Sequence, residues 1–479
     1  MIEWGVSAGT HDASLTVMYD NGWSTPEIIF ASHSERYSRF KNDKHLNESL
    51  IREALKYGRP DVVYWYENPL LKATRKLYAR QSKPWLSPKK YLREWGIDAP
   101  VKWGNHHESH MAAGYYTRPK NWSTDCATLV IDAIGEWTTT SIWYNDEQLW
   151  TQNYPKSFGL FYSAFTDRIG LKANEDEYIL MGMAAYGDPS RFHREVLDLW
   201  HSGVNLHRGI SWWMPELTED DYFDVAAAVQ TVYEYQFRML LQKAHTITNT
   251  NNLVFMGGCA LNCLANRLIP DYFKNHWIMP NPGDAGSSLG AILAHKKCHI
   301  DFNVYLGESI YGKYPVKALL EELKTTGIVG VANGQAEFGP RALGNRSLLA
   351  DPRGKKMQDK VNAIKQRQEF RPFAPVILQR NAYKYFDVNK NFSSPYMQQV
   401  VRCLEPKKYP AIVHKDGTSR VQTVTSQDHK GLYKLLTRWE AETGCPMLLN
   451  TSLNIKGEPI VNSRQDAEDF EMEYGVKVF

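Results

Sequence analysis

Short runs of apolar and β-branched residues alternate with small polar turns along the chain, and the first of them has a partner 125 residues further on. Gly5-Val-Ser-Ala-Gly-Thr-His11-Asp12-Ala-Ser-Leu-Thr-Val-Met-Tyr19 aligns without a gap on Val130-Ile-Asp132-Ala-Ile-Gly135-Glu-Trp-Thr-Thr-Thr-Ser-Ile-Trp-Tyr144. Each run predicts a hairpin whose turn can approach a ligand, and the echo implies a duplicated α/β core. Between the hairpins, 50–57 and 72–78 have helical spacing, with turns expected at Pro84, Pro88 and Pro100. The stretch 160–250 predicts mainly helices, including 225–247. Asn252 to Met256 then predicts a strand that ends in Gly257-Gly258 and leads into a helix from Ala260. Backbone N–H groups at such a junction can hold a phosphate or ribose, although tight strand-to-helix packing needs the same glycines. A second glycine-bearing helix opens at Pro282-Gly283-Asp284, and Tyr311 to Pro315 predict a linker. The domains expected are 1–310 and 311–479.

Composition narrows the class. A chain of 479 residues, 43% apolar with a net charge of +3, is an ordered globular protein and not a general polyanion binder. No apolar run approaches the roughly 18 residues of a membrane span, and Met1 to Gly5 lacks the features of a signal peptide, so a cytoplasmic address is expected. The six cysteines form no CxxC pair and are expected as reduced thiols. Cys259 and Cys263, four apart, are read as small core residues in preference to a metal pair.

Chemistry concentrates in a few places. His106-His107-Glu108-Ser109-His110 opens a predicted helix, where i, i+4 spacing puts His106 and His110 on one face and His107 on another. The pair suits one metal ion, with Asp284 as third ligand; a solvated histidine cluster and an ordinary helix cap are the alternatives. His11, beside Asp12 in the first hairpin turn, is a candidate general base for a hydroxyl nucleophile. Asp132 in the matching turn can order water or a cation. In the second domain, Glu337-Phe-Gly-Pro-Arg341-Ala-Leu-Gly-Asn345-Arg346-Ser and Phe370-Arg371-Pro place arginines among Gly, Pro and Asn, a setting for bidentate recognition of phosphate or carboxylate. His414-Lys-Asp-Gly-Thr-Ser-Arg420 and Asn450-Thr-Ser452-Leu-Asn454 add polar groups within apolar strands.

Together these motifs resemble the O-carbamoyltransferase family of the NodU and TobZ type, in the family's order from GTHDAS at Gly9 to NTSLNIKGEPIV at Asn450. The resemblance implies an amino-terminal actin-like ATPase domain similar to Kae1 and a carboxy-terminal domain similar to YrdC. It carries metal binding onto His106, His110 and Asp284, and catalytic roles onto His11, Asp12 and Asp132. Nucleotide binding falls on Gly257, Gly258 and Asn262. Arg341, Asn345, Arg346, Arg371, His414, Arg420, Asn450, Ser452 and Asn454 are implied as the carbamoyl phosphate and ATP site, with Lys41 near a family lysine. The chain departs from the family at Ile179, where many members carry Lys, and its shorter length implies trimmed acceptor-facing loops.

The implied reaction uses ATP with Mg²⁺ and carbamoyl phosphate to form carbamoyl adenylate in the second domain, which passes internally to the first. There His11 deprotonates an acceptor hydroxyl beside a transition metal: Fe²⁺ by resemblance, with Zn²⁺, Mn²⁺ and Ni²⁺ equally suited to the ligand types. The acceptor is expected to be a hydroxyl-bearing small molecule, with nucleic acid left open; a homodimer is allowed and no membrane is expected. A threonylcarbamoyl-type tRNA modifier and a non-catalytic nucleotide-binding regulator are the rival readings. The fused EFGPRALGNRS domain speaks against the first, and retention of His11, the histidine pair and the arginines against the second.

Overall fold

The computed structural model describes residues 1–81, 86–122 and 124–479, so the turn expected at Pro84 lies outside the described residues. The protein is mixed α/β. By contact it divides into two units, Met1–Ser34 with Asn42–Asn303, and Glu35–Lys41 with Val304–Phe479. The strand Tyr305–Ile310, which precedes the boundary expected at 310, pairs with Gly334–Glu337 in the second unit.

The first unit contains two five-stranded sheets of the same design. One runs β3 (Glu27–His33), β2 (Ser14–Tyr19), β1 (Ile2–Ser7), β4 (Val62–Trp65), β5 (Val101–Trp103). The other runs β8 (Glu147–Asn153), β7 (Thr138–Tyr144), β6 (Ala127–Ile131), β9 (Asn252–Met256), β10 (Asn275–Trp277). In each sheet the first three strands are antiparallel and the last two join in parallel. The echo extends to register: Gly5 faces Thr16 and Val130 faces Ser141, each pair 125 residues from its counterpart. The central strands β1 and β6 are buried almost throughout, as expected of strands covered on both faces.

Two helices buried along nearly their whole length, His106–Tyr115 and Ser287–Lys296, pack against each other. Both are rich in small residues and carry no polar face, the pattern of a helix enclosed on all sides. The long helix is Tyr222–Thr248, and its end is set by Asn249 in the left-handed region at φ 48°. The helix expected from Ala260 is instead a 3₁₀ turn, Gly258–Leu261, followed by the short helix Cys263–Asn266. Asn262 causes the break: its backbone leaves the helical region, and its side chain caps the new helix through the Ala265 N–H at 3.1 Å. Among the described residues no helix is long and apolar enough to cross a membrane.

The second unit is built on a sheet ordered β12 (Ile328–Ala332), β14 (Arg346–Ala350), β19 (Met447–Ser452), β15 (Ala374–Leu378), β18 (Gln422–Val424). All neighbours are antiparallel except β15 and β18. Leu348, Val376, Leu449 and Trp439 lie in its core. The helix Lys355–Lys365 ends with Lys365 bonded to the carboxy end of β19.

Candidate functional site

In the first unit, two hairpin turns and the starts of two buried helices bring the polar groups together. His106 and His110, one turn apart, have their Nε2 atoms 3.1 Å from each other. The Asp132 carboxylate, just past β6, lies 2.9 Å from His106 Nε2 and 3.8 Å from that of His110. Asp284 lies 3.4 Å and 3.3 Å from the same two nitrogens. All four ligand atoms fall within 4.8 Å of one another.

Ligands roughly 2.0–2.2 Å from one ion lie about 3–3.5 Å apart along the edges of its coordination shell, so these separations fit a single metal. Two imidazoles and two carboxylates, with no thiolate, suit a divalent first-row metal. Burial alone would depress the His106 imidazole, but the carboxylates of Asp284 and Asp132 outweigh it and push it up to about 10. Burial would likewise raise Asp132, yet the hydrogen bond from His106 holds it well below the usual carboxylate range.

The surroundings fix each ligand. The Asn105 side chain makes no cap; Glu136 Oε1, from the turn before β7, takes the His106 N–H at 2.9 Å and so starts the helix at that residue. Ser287 Oγ lies 3.2 Å from His110 Nδ1, which aims Nε2 at the carboxylates. Gly258 N–H donates to Asp132 Oδ1 at 3.2 Å, leaving Oδ2 toward His106. His107 is turned away as its helix position requires, with Nδ1 2.7 Å from Ser141 Oγ. Burial and the charges of His106 and His110 push its pKa well down.

The sequence reading gave Asp132 a separate role in its turn and Gly257, Gly258 and Asn262 a role at a nucleotide. The fold moves Asp132 into the histidine cluster and sets Gly258 to hold it. Gly257, at φ +92°, passes so close to β6 that a Cβ would stand 2.1 Å from the Ile131 carbonyl oxygen. Asn262 exchanges amide hydrogen bonds with Gln230 at 3.1 and 3.2 Å, so with its cap its side chain is committed to the fold. The six cysteines are free thiols, and none belongs to the cluster.

His11 occupies the first hairpin turn, its Nδ1 2.9 Å from the Asp12 carboxylate. Burial would lower its pKa; the Asp12 hydrogen bond and charge overcome this and raise it to about 9. Thr10 and Tyr66 share a 2.5 Å hydroxyl contact that anchors the turn.

In the second unit the sequence-selected residues separate into two groups. Ser452 and Asn454 meet at Lys365, whose Nζ donates to the Ser452 carbonyl at 2.7 Å, to its Oγ at 3.2 Å and to Asn454 Oδ1 at 2.5 Å. Lys365 is buried, and its pKa is driven far down by burial and then by the charges of Arg367, Arg371 and Lys41, which outweigh the Glu458 carboxylate. Lys41 therefore joins this group electrostatically although it comes from the amino-terminal part of the chain. Sequence reasoning gave Lys365 no role; its place two residues before Arg367 and six before Arg371 was the available signal.

The other group holds the fold. Arg346 was assigned to phosphate or carbamoyl binding, but it is fully buried and donates to the carbonyls of Asn462, Asn333, Gly334, Asn345 and Glu308 at 2.9–3.2 Å. Its Nε and both Nη1 N–H groups and one Nη2 N–H go to backbone oxygens, so this buried guanidinium fastens loops. Asn345 bonds the Gln335 carbonyl at 2.8 Å and pairs with His429 at 2.7 Å. Asn450, also buried, donates to Gln422 at 2.7 Å and to the Ala342 carbonyl at 3.2 Å. Outside both groups, Arg341 lies in the loop before β14, His414 3.6 Å from Asp416, and Arg420 at the end of β17 (Thr418–Arg420).

Two family descriptions match the chain: Carbamoyltransferase N-terminus over residues 89–293 and Carbamoyltransferase C-terminus over residues 320–479. An uncharacterized protein of Synechocystis sp. is 32% identical over 97% of this chain and 93% of its own length. The nodulation protein NolNO of Sinorhizobium fredii is 28% identical over 95% and 76%. The 3'-hydroxymethylcephem-O-carbamoyltransferase of Amycolatopsis lactamdurans is 31% identical over 65% of each chain. The alignment with the Synechocystis protein runs to 581 positions, more than the 479 residues present here, so that relative has insertions this chain lacks. Among solved structures, the activator of 2-hydroxyisocaproyl-CoA dehydratase from Clostridium difficile matches 62% of this chain and 97% of its own at 14% identity and a TM-score of 0.36. These matches define an enzyme of carbamoyl transfer. The chain belongs to the NodU-type O-carbamoyltransferase family.

Proposed function

We propose that the protein makes carbamoyl adenylate in its second unit and transfers the carbamoyl group to an acceptor hydroxyl in its first. The observation that carries this is the cationic group around the buried Lys365. Arg367, Arg371 and Lys41 bear on the buried Lys365 and outnumber the Glu458 carboxylate among its strongest electrostatic influences, and clustered positive charge of that kind suits a polyanion. ATP and carbamoyl phosphate supply one. Water cleaves carbamoyl phosphate into carbamate and phosphate; the carbamate oxygen attacks the α-phosphorus of ATP, and pyrophosphate leaves. Lys365, Ser452 and Asn454 hold the anions, with Arg371, His414 and Arg420 as further contacts and Mg²⁺ accompanying the nucleotide. The expected likenesses to Kae1 and YrdC belong to this reading, the first supported by the duplicated sheet order.

In the first unit His11 accepts the acceptor hydroxyl's proton and Asp12 orients its ring. The oxygen bonds the carbamoyl carbon, the bond to the AMP oxygen breaks, and AMP departs with the electron pair. His106, His110, Asp132 and Asp284 would hold a divalent metal, Fe²⁺ by family resemblance, which when bound supplies positive charge for carbonyl polarisation.

The test is a screen of hydroxyl compounds with ATP and carbamoyl phosphate, reading pyrophosphate release and a carbamoyl mass shift on the acceptor. Pyrophosphate release is expected only with carbamoyl phosphate present. Phosphate release from ATP alone, with no AMP formed, would overturn the two-step scheme.

A further inference from the structure

Both ring nitrogens of His11 are engaged. Nδ1 faces the Asp12 carboxylate at 2.9 Å, and Nε2 lies 2.6 Å from the backbone carbonyl oxygen of Asn174. A carbonyl oxygen only accepts, so Nε2 carries its proton in this arrangement. Transfer needs that same atom bare. When a carboxylate orients Nδ1, the opposite nitrogen faces the oxygen it deprotonates, at roughly 2.6–3.2 Å. The Asn174 oxygen thus stands where the acceptor's oxygen has to stand.

The segment that presents this carbonyl is a short polar turn between the helices Phe158–Arg168 and Glu177–Met183. Asn174 is exposed and sits in the left-handed region at φ 64°. Glu177 ties the turn down: its Oε1 accepts the Asn174 N–H at 2.6 Å and the Ser163 hydroxyl at 2.6 Å. Asp176 accepts the Lys172 N–H at 3.1 Å. Polar, half-exposed residues held mainly by local hydrogen bonds open at little cost compared with the buried sheets beside them.

We propose that the turn 171–176 is the acceptor gate: the incoming hydroxyl displaces the Asn174 carbonyl from His11 Nε2, and Lys172, Asn174 and Glu175 line the entry. The proton on Nε2 passes to water as the carbonyl withdraws, and the freed nitrogen takes the acceptor's proton. Such a polar lining suits a hydroxyl-rich acceptor. The inference rests on His11 acting as the base of the transfer step.

Two substitutions loosen the turn by different means. Glu177→Ala removes its tie, and Asn174→Pro forces φ to about −65° and deletes the bonded N–H. Modification of His11 by diethyl pyrocarbonate, mapped by mass spectrometry on the full chain without ligands, should run roughly tenfold faster in both, the factor one ordinary hydrogen bond accounts for. The acceptor KM should change in both while pyrophosphate release does not. Equal labelling rates in wild type and a folded Asn174→Pro or Glu177→Ala protein would overturn the gate even with transfer intact. A His11→Ala protein that still transfers would overturn the base assignment, and the gate with it.

Discussion

Gly290 lies against the backbone of Ser109 so closely that a Cβ on it would stand 1.9 Å from the Ser109 carbonyl oxygen. Ser109 sits between the two histidines of the cluster, and Gly290 sits in the helix that follows Asp284. Their contact therefore sets how near Asp284 comes to His110, 3.3 Å in this structure. Gly290→Ala has to push the helices apart. It should cost about 1–3 kcal/mol of stability and weaken metal binding, as read by denaturant unfolding and metal titration; an equally stable variant that binds metal as tightly would contradict this.

The histidines can be separated by substitution. His106→Ala, His110→Ala and Asp132→Asn should each lose bound transition metal by elemental analysis, because their ligand atoms converge within 4.8 Å. His107→Ala should keep the metal yet lose about 1–3 kcal/mol, since it deletes a buried ring bonded to Ser141. Metal retained in His106→Ala and lost in His107→Ala would reverse the assignment.

Legibility followed the range of the interaction. The echo between Gly5 and Val130 was readable because it is local and survives as matching strand register. His106 and His110 were readable because helical spacing alone puts them on one face. That Asp132 joins His106 was not legible, because its distance to that residue depends on how β6 meets a helix about one turn beyond β5, which no spacing reports. Arg346 was misassigned because a guanidinium that binds five backbone carbonyls and one that binds phosphate look alike in sequence. Lys365 gained meaning only when the sheet brought Ser452 and Asn454 to its amine.

His11 should titrate well above a free imidazole in the metal-free protein, with a midpoint of about 9. Its protonated form is favoured in the fold, so the stability it contributes is fully present below the unfolded pKa of about 6.5 and lost as pH rises through about 9. Asp12→Asn removes the group that opposes burial, so the midpoint should fall and the pH dependence across that window should flatten. Histidine-selective NMR titration reads the first effect and unfolding at several pH values the second. A midpoint unchanged by Asp12→Asn would show that the pairing does not govern this ring.

Arg346 and Lys365 should fail in opposite ways, although both are buried cations of the second unit. Arg346→Lys cannot reproduce a planar fork that reaches the carbonyls of five residues, so several buried oxygens lose their donors. A loss of about 3–5 kcal/mol is expected, and activity should fall only as far as the fold does. Lys365→Met also removes hydrogen bonds, to Ser452 and Asn454, but it relieves repulsion from Arg367, Arg371 and Lys41 and spares the desolvation of an ammonium group. Its stability should hold or rise while carbamoyl phosphate-dependent pyrophosphate release disappears. Urea unfolding and pyrophosphate release measured on the same two full-length variants decide between the roles. A stable, inactive Arg346→Lys would return that arginine to the anion site, and a stable, active Lys365→Met would remove the lysine from it.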